Sequence, residues 1–268
     1  MKIFTLIENT NLKNSALESE HGISFYIETP EKNFIFDCGQ SGLAWKNAAK
    51  LNLDLTKINF VVLSHSHYDH AGGFPSLLKY VVPKKIFTGK NFWAEKFSKT
   101  DSGYIYRGAG FNLDDLKSWG IEQKICRDFL QIDENIFLIG NFLRRYEFET
   151  IPKKFVIGEK KVQDNFDDEV CLAIKSGGEI ILIVGCSHAG ILNIVSTVKE
   201  RLNLPIKILI GGVHLQGADE KRVDKTLNEL KNFGIKKFAL CHCSGESICA
   251  KINSEILTTG SIFTDVIN

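Results

Sequence analysis

Four side chains able to hold a metal ion fall within six positions in the stretch HSHYDH: His65, His67, Asp69 and His70. Histidine is otherwise scarce, with seven in 268 residues. Imidazole nitrogen and carboxylate oxygen are ligands for zinc, manganese or iron. The preceding run, INFVVLS (58–64), is apolar and β-branched and reads as a buried strand. Residues two apart on an extended chain point the same way, so His65 and His67 aim at one point. Asp69 and His70 lie where the chain turns toward a helix and aim at a second point beside the first. Gly72 and Gly73 are expected to let the backbone turn tightly there.

A cluster of four cannot close two metal sites, so further ligands are expected from other segments. IILIVGCSHAG (180–190) and FALCHCSG (238–245) each read as an apolar strand ending in a histidine beside small residues. His188 and His242 are the expected ligands. His214, in LIGGVHL (209–215), is a further strand-end candidate, as a ligand, a support for one, or a residue facing substrate. Three strand ends carrying histidine at one edge would converge on a groove. Cys241, Cys243 and Cys249 supply too few ligands at poor spacing for a separate cysteine site and read as buried thiols.

These positions need strands to deliver them. KIFTLIE (2–8), ISFYIET (23–29), NFIFDCG (33–39) and KKIFTG (84–89) read as further strands, and 41–54 has helical spacing. A short helix is expected in FPSLLKYV (74–81), with Pro75 in its first turn. The middle, 90–165, is less regular, with one short helix near 113–120. Order returns with a Gly-Gly hairpin over 169–188, helices over 190–203, 219–234 and 246–254, and strands over 206–215 and 236–245. Two halves, each of strands followed by strand–helix alternation, predict an α+β chain layered helix, sheet, sheet, helix. One domain over 1–268 is expected, with a substrate-side insertion at about 90–165.

Composition narrows the function classes. The chain has 33 basic and 32 acidic residues and a net charge of +1, so no global field favours nucleic acid or an anionic membrane. No apolar run approaches a membrane span, and MKIFTLIENTNL is too short in apolar residues for a signal peptide. Seven scattered cysteines do not form a secreted disulfide framework. A cytoplasmic protein acting on a small molecule is expected, and nothing in the sequence speaks to its oligomeric state.

HSHYDH matches the His-x-His-x-Asp-His signature and so resembles the metallo-β-lactamase superfamily, whose fold is a four-layer αββα sandwich. EHGISFYIE (20–28), FIFDCGQSG (34–42), LSHSHYDHAGG (63–73), VGCSHAGILNI (184–194), IGGVHLQG (210–217) and HCSG (242–245) follow in order. Together they resemble the branch containing the dihydropterin-ribofuranosylaminobenzene phosphate synthases of methanopterin biosynthesis. The likeness implies one or two divalent ions, zinc foremost, with manganese or iron as alternatives. It also implies Asp37 as the acidic residue beneath the metal loop and His21 at the pocket rim. Arg144 matches an arginine of the branch's Gly-x-x-x-Arg…Phe-Glu pattern.

Two departures from the superfamily pattern leave the ligand set open. Cys186 stands where a metal-bridging aspartate is usual. Either His188 takes over that role, or Cys186 ligates as a thiolate, or the second site is weaker. The usual histidine before that strand is also missing, and NFDDEV (165–170) stands there, offering Asp168 or Glu169.

The expected chemistry is hydrolysis. A divalent ion lowers the pKa of bound water from ~15.7 to ~7, and Asp69 would orient or deprotonate that water. Arg107 and Arg144 are candidates to read phosphate or carboxylate. Trp93, Tyr104, Tyr106 and Phe111 are candidates to stack on a flat ring. The expected substrate is therefore small and anionic, phosphorylated or pterin-like. A synthase-type condensation, an iron redox enzyme and a non-catalytic sensor are the competing readings.

Overall fold

The structure is a computed structural model and describes residues 1–265. In chain order its elements are β1 (Lys2–Ile7), β2 (Ser24–Glu28), β3 (Asn33–Phe36), α1 (Leu43–Lys50), β4 (Ile58–Val62), α2 (Tyr68–Ala71), α3 (Phe74–Leu77) and β5 (Lys85–Gly89). Then come β6 (Lys96–Thr100), β7 (Gly103–Tyr106), α4 (Leu113–Ser118), β8 (Glu122–Cys126), β9 (Phe129–Asp133), β10 (Ile136–Gly140), β11 (Phe155–Ile157) and β12 (Val162–Gln163). The remainder is β13 (Val170–Ser176), β14 (Glu179–Val184), α5 (Ile191–Leu202), β15 (Ile206–Gly211), α6 (Glu220–Asn232), β16 (Lys237–Leu240), α7 (Glu246–Lys251), β17 (Glu255–Ile256) and β18 (Ile262–Thr264).

The chain divides into two compact units, each described by itself. The first takes residues Met1–Ile125, Pro152–Asp168 and the chain from Thr258. Its main sheet has the order β18-β1-β2-β3-β4-β5-β8. One face is covered by helices: Ala44, Trp45 and Ala48 of α1 pack with Leu6, Tyr26, Ile35 and Val61. Trp45 is fully buried and spends its indole N–H on the carbonyl of Gly73 at 3.0 Å, so the ring anchors the glycine pair after the histidine motif. A second sheet, β12-β11-β6-β7, belongs to the same unit.

The second unit takes Cys126–Ile151 and Glu169–Leu257. Its sheet has the order β17-β16-β15-β14-β13-β10-β9. Here Ile191, Val195 and Val198 of α5 and Val223, Leu227 and Leu230 of α6 share a core with Leu182, Val184 and Leu209. The expected Gly-Gly hairpin joins β13 to β14, with Gly177 and Gly178 at φ 57° and 78°, the left-handed pair that a tight two-residue turn demands. Strands β14, β15 and β16 run parallel, so their C-terminal ends lie along one edge of the sheet.

The stretch 90–165, expected as a less regular insertion, carries seven strands. It supplies β8 to the first main sheet, β9 and β10 to the second, and all four strands of the small sheet. The reason lies in composition. KFSKT and EQKIC mix charge with β-formers and GYIY is short and largely exposed, so no apolar pattern marks them.

Candidate metal centre

In the first unit the chain leaves β4 at Val62, and the motif follows as a loop running into α2. His65, His67, Asp69 and His70 are all buried. The rings of His65 and His67 lie 4.8 Å apart, and those of His65 and His70 4.2 Å apart. Gly72 and Gly73 form the turn between α2 and α3, with φ values of −62° and −74° that other residues also adopt. They are needed for close approach, because a Cβ on Gly73 would fall on the carbonyl oxygens of Cys38 and Ser41. That contact brings the exit of β3 against the motif.

Asp37, at that exit, organises the ring nitrogens. His70 Nδ1 lies 2.7 Å from Asp37 Oδ2, so an Nδ1–H donates to the carboxylate and Nε2 keeps its lone pair. Ser64 Oγ donates to Asp37 Oδ2 at 2.7 Å and lies 3.0 Å from His65 Nδ1. With its proton given to Asp37, the hydroxyl accepts from His65 Nδ1–H, and the His65 Nε2 lone pair is presented as well. Burial, joined by the neighbouring His70 and His67, pushes the His65 imidazole well below its usual pKa, so the ring is neutral, as a ligand must be. Asp37 therefore supports the loop in the way its sequence position suggested.

The other expected residues of this unit lie close by. His21 Nε2 is 3.2 Å from Asp69 Oδ2, and His21 itself is exposed. Arg107 donates to Ser98 Oγ at 3.2 Å and lies over the Tyr68 ring, 5.5 Å from its centroid. Its carbonyl accepts from the Tyr68 N–H at 2.9 Å, which ties β7's exit to the start of α2. Asp168 gives Oδ2 to the Ser66 N–H at 2.8 Å and Oδ1 to Lys96 Nζ at 2.8 Å. Oδ2 thus braces the loop between His65 and His67, and Lys96 holds the carboxylate in place. Lys96 is buried between Asp168 and Asp164. Burial alone would lower its ammonium, but the two carboxylates outweigh it and hold the pKa above the usual value. One cation does not fully offset two carboxylates, and burial leaves Asp164 raised.

Beside Ser66 opens a cavity of about 330 Å³ lined by Phe92, Trp93, Tyr106 and Phe111 among others. Three of the four expected stacking residues line it. Tyr104 does not: half-exposed on β7, it has Lys161 Nζ 5.9 Å from its ring centroid.

In the second unit, His188, His214 and His242 follow the ends of β14, β15 and β16, as expected. The rings of His188 and His214 are 4.3 Å apart. Glu169 accepts from the His188 and Ala189 N–H groups at 2.8 and 2.6 Å, so its carboxylate fixes that loop. Arg144 lies with Nη1 3.5 Å from the His188 carbonyl. The thiols of Cys186 and Cys243 and the His214 ring each bring a donor atom within 4.8 Å of the others. Burial would raise the Cys243 thiol, but hydrogen bonds with Cys186 and His214 prevail and hold it well below the usual thiol value. Reading Cys243 as an inert buried thiol missed this, because its partners are 29 and 57 residues away. Ser187, His214 and His242 have φ of 63°, 47° and 55°, and Asp37 in the first unit has 57°. Non-glycine residues in this region carry strain, and strained residues cluster at functional sites.

A profile described as the metallo-beta-lactamase superfamily matches residues 21–108, the segment holding the motif. A crystal structure of Tm1679, described as a metal-dependent hydrolase of the beta-lactamase superfamily, is 29% identical, with both chains covered in full and a TM-score of 0.85. A 7,8-dihydropterin-6-methyl-4-(beta-D-ribofuranosyl)-aminobenzene-5'-phosphate synthase from Methanocaldococcus jannaschii is 32% identical over 91% of this chain and 88% of its own. The chain belongs to the metallo-β-lactamase superfamily. The uncharacterized protein MJ0448 of the same organism is 29% identical over 92% of each chain. The expected α+β class and metallo-β-lactamase fold are thus those of this superfamily member, and each unit contributes a sheet with helices packed on it. Its histidine, carboxylate and thiol donors fit a divalent metal ion.

Proposed function

We propose that the protein is a metal-dependent hydrolase acting on a small anionic substrate, phosphorylated or pterin-like. The observation that carries this reading is the Asp37–Ser64 network, which engages Nδ1 of the buried His65 and His70 rings and so fixes the tautomer that ligation through Nε2 needs. His65, His67, Asp69 and His70 would hold one or two divalent ions, with His188 and His242 as further ligands by their motif positions. Zinc suits this donor set best, with manganese or iron as alternatives. A bound ion supplies Lewis acidity and water made acidic enough to ionise near neutral pH.

The chain's own residues do the rest. Asp69 Oδ2 accepts a proton or a hydrogen bond at the reacting centre, and His21, 3.2 Å away and exposed, exchanges that proton with solvent. Arg107 offers a fixed positive charge beside Tyr68, and Arg144 is a second candidate for an anionic group. The aromatic walls beside Ser66 accept a flat ring. A second reading, condensation of a dihydropterin methyl unit with a ribofuranosylaminobenzene phosphate, is favoured by the named relative and by that cavity.

The test is turnover of zinc-, manganese- and iron-loaded protein on phosphoesters, lactones and thioesters. Hydrolysis is expected, and Asp69→Ala should lower it by about 10²–10⁴-fold. Equal inactivity of wild type and variant on every substrate, with the condensation product formed from its two precursors, replaces the hydrolase reading with the synthase one.

A further inference from the structure

The second unit contains a donor set of its own. Cys186 follows β14, His214 follows β15 and Cys243 follows β16, so three adjacent parallel strands each deliver one. We propose that Cys186, His214 and Cys243 form a thiolate-rich site for one soft or borderline divalent ion, zinc or ferrous iron. The hydrolase reading needs the histidine ligands and not this trio.

Geometry carries the proposal. The two sulfurs and an imidazole nitrogen lie within 4.8 Å of one another. Zinc bonds of about 2.3 Å to sulfur and about 2.0 Å to nitrogen put tetrahedral ligands roughly 3.5–3.8 Å apart, so a small inward movement closes the set. The backbone is shaped to allow this. A Cβ on Gly212 would lie 2.6 Å from Cys243 Sγ and 2.6 Å from the Gly185 carbonyl oxygen, so only glycine leaves room for that sulfur. His214, two residues on, takes a left-handed φ of 47°. Cys186 is buried, while His214 and Cys243 are half-buried, which gives an ion a way in. Two thiolates and one imidazole select zinc or ferrous iron over magnesium, calcium or manganese, which prefer oxygen. Three protein ligands leave a fourth position for a small molecule.

Cobalt(II) reports thiolate ligation directly through sulfur-to-metal charge-transfer absorption in the near ultraviolet. The full chain, reduced and stripped of metal under anaerobic conditions, is titrated with cobalt(II), and far-ultraviolet circular dichroism checks each variant's fold. The expected result is a saturable thiolate band in the wild type. The band should be weakened or lost in Cys243→Ser, His214→Ala and Gly212→Ala. It should persist in Cys249→Ser and in His65→Ala/His67→Ala, which disables the histidine motif. Absence of the band in folded wild type overturns the proposal. So does a band of full strength in both Cys243→Ser and His214→Ala, because Cys186 would then ligate without them. Loss of hydrolysis in His65→Ala/His67→Ala with the band intact bears only on the histidine centre.

Discussion

Asp37 decides which ring nitrogens of His65 and His70 face outward, although it is not itself one of the proposed metal ligands. It accepts from His70 directly and reaches His65 through Ser64. Asp37→Asn keeps the shape but offers one acceptor and two donors in place of a carboxylate. It should weaken metal binding by about 10–100-fold, read by competition with a chromophoric chelator. Lys96 acts on the same loop from the other side. Lys96→Met leaves Asp164 and Asp168 buried without their cation and should cost about 3–5 kcal/mol, read as a fall in the urea midpoint. The two residues differ in how far the sequence reveals them. Asp37 is legible because it ends an apolar strand at a known motif position. Lys96 is one of 33 basic residues, and nothing local marks it as the partner of carboxylates 68 and 72 positions away.

At the scale of elements, helix α5 shows how burial and capping compete. Glu149 accepts from the N–H groups of Leu192 and Asn193 at the helix start, a place that favours a carboxylate. Burial is the larger influence and lifts its pKa to about 7. A folded value above the unfolded one means that the folded state holds the proton more tightly. The resulting stability is fully present below about pH 4.5 and is lost as pH rises through about 7. Urea midpoints measured from pH 5 to 8 should therefore show a downward component, on the order of 3 kcal/mol in full, that is absent in Glu149→Gln. Most strands and helices around this site are legible because they are continuous apolar runs or amphipathic repeats with clear ends. The strands β6 to β12 fall in the stretch read as less regular: most are short or partly exposed, while β10 is a buried apolar run whose neighbours gave no clear pattern.

For the whole molecule, a metal bound as proposed would be a source of stability as well as chemistry. Removing it with a chelator should lower the melting temperature, and adding zinc back should restore it. An ion at 100 times its dissociation constant contributes about 2.7 kcal/mol. Among the described residues no helix is long and apolar enough to cross a membrane. Superfamily, fold and two halves were readable from the sequence, whereas the interleaving of the two units along the chain was not, since it depends on which distant stretches pair. That interleaving bears on how the protein is made. Strand β1 is flanked by β2 and by β18, with Lys2 opposite Thr264, so its sheet stays incomplete until almost the whole chain has been synthesised. Contacts so distant along the chain slow folding and leave an open strand edge exposed during translation. Newly made chains should therefore depend on chaperones, and refolding from denaturant should yield less soluble protein as concentration rises.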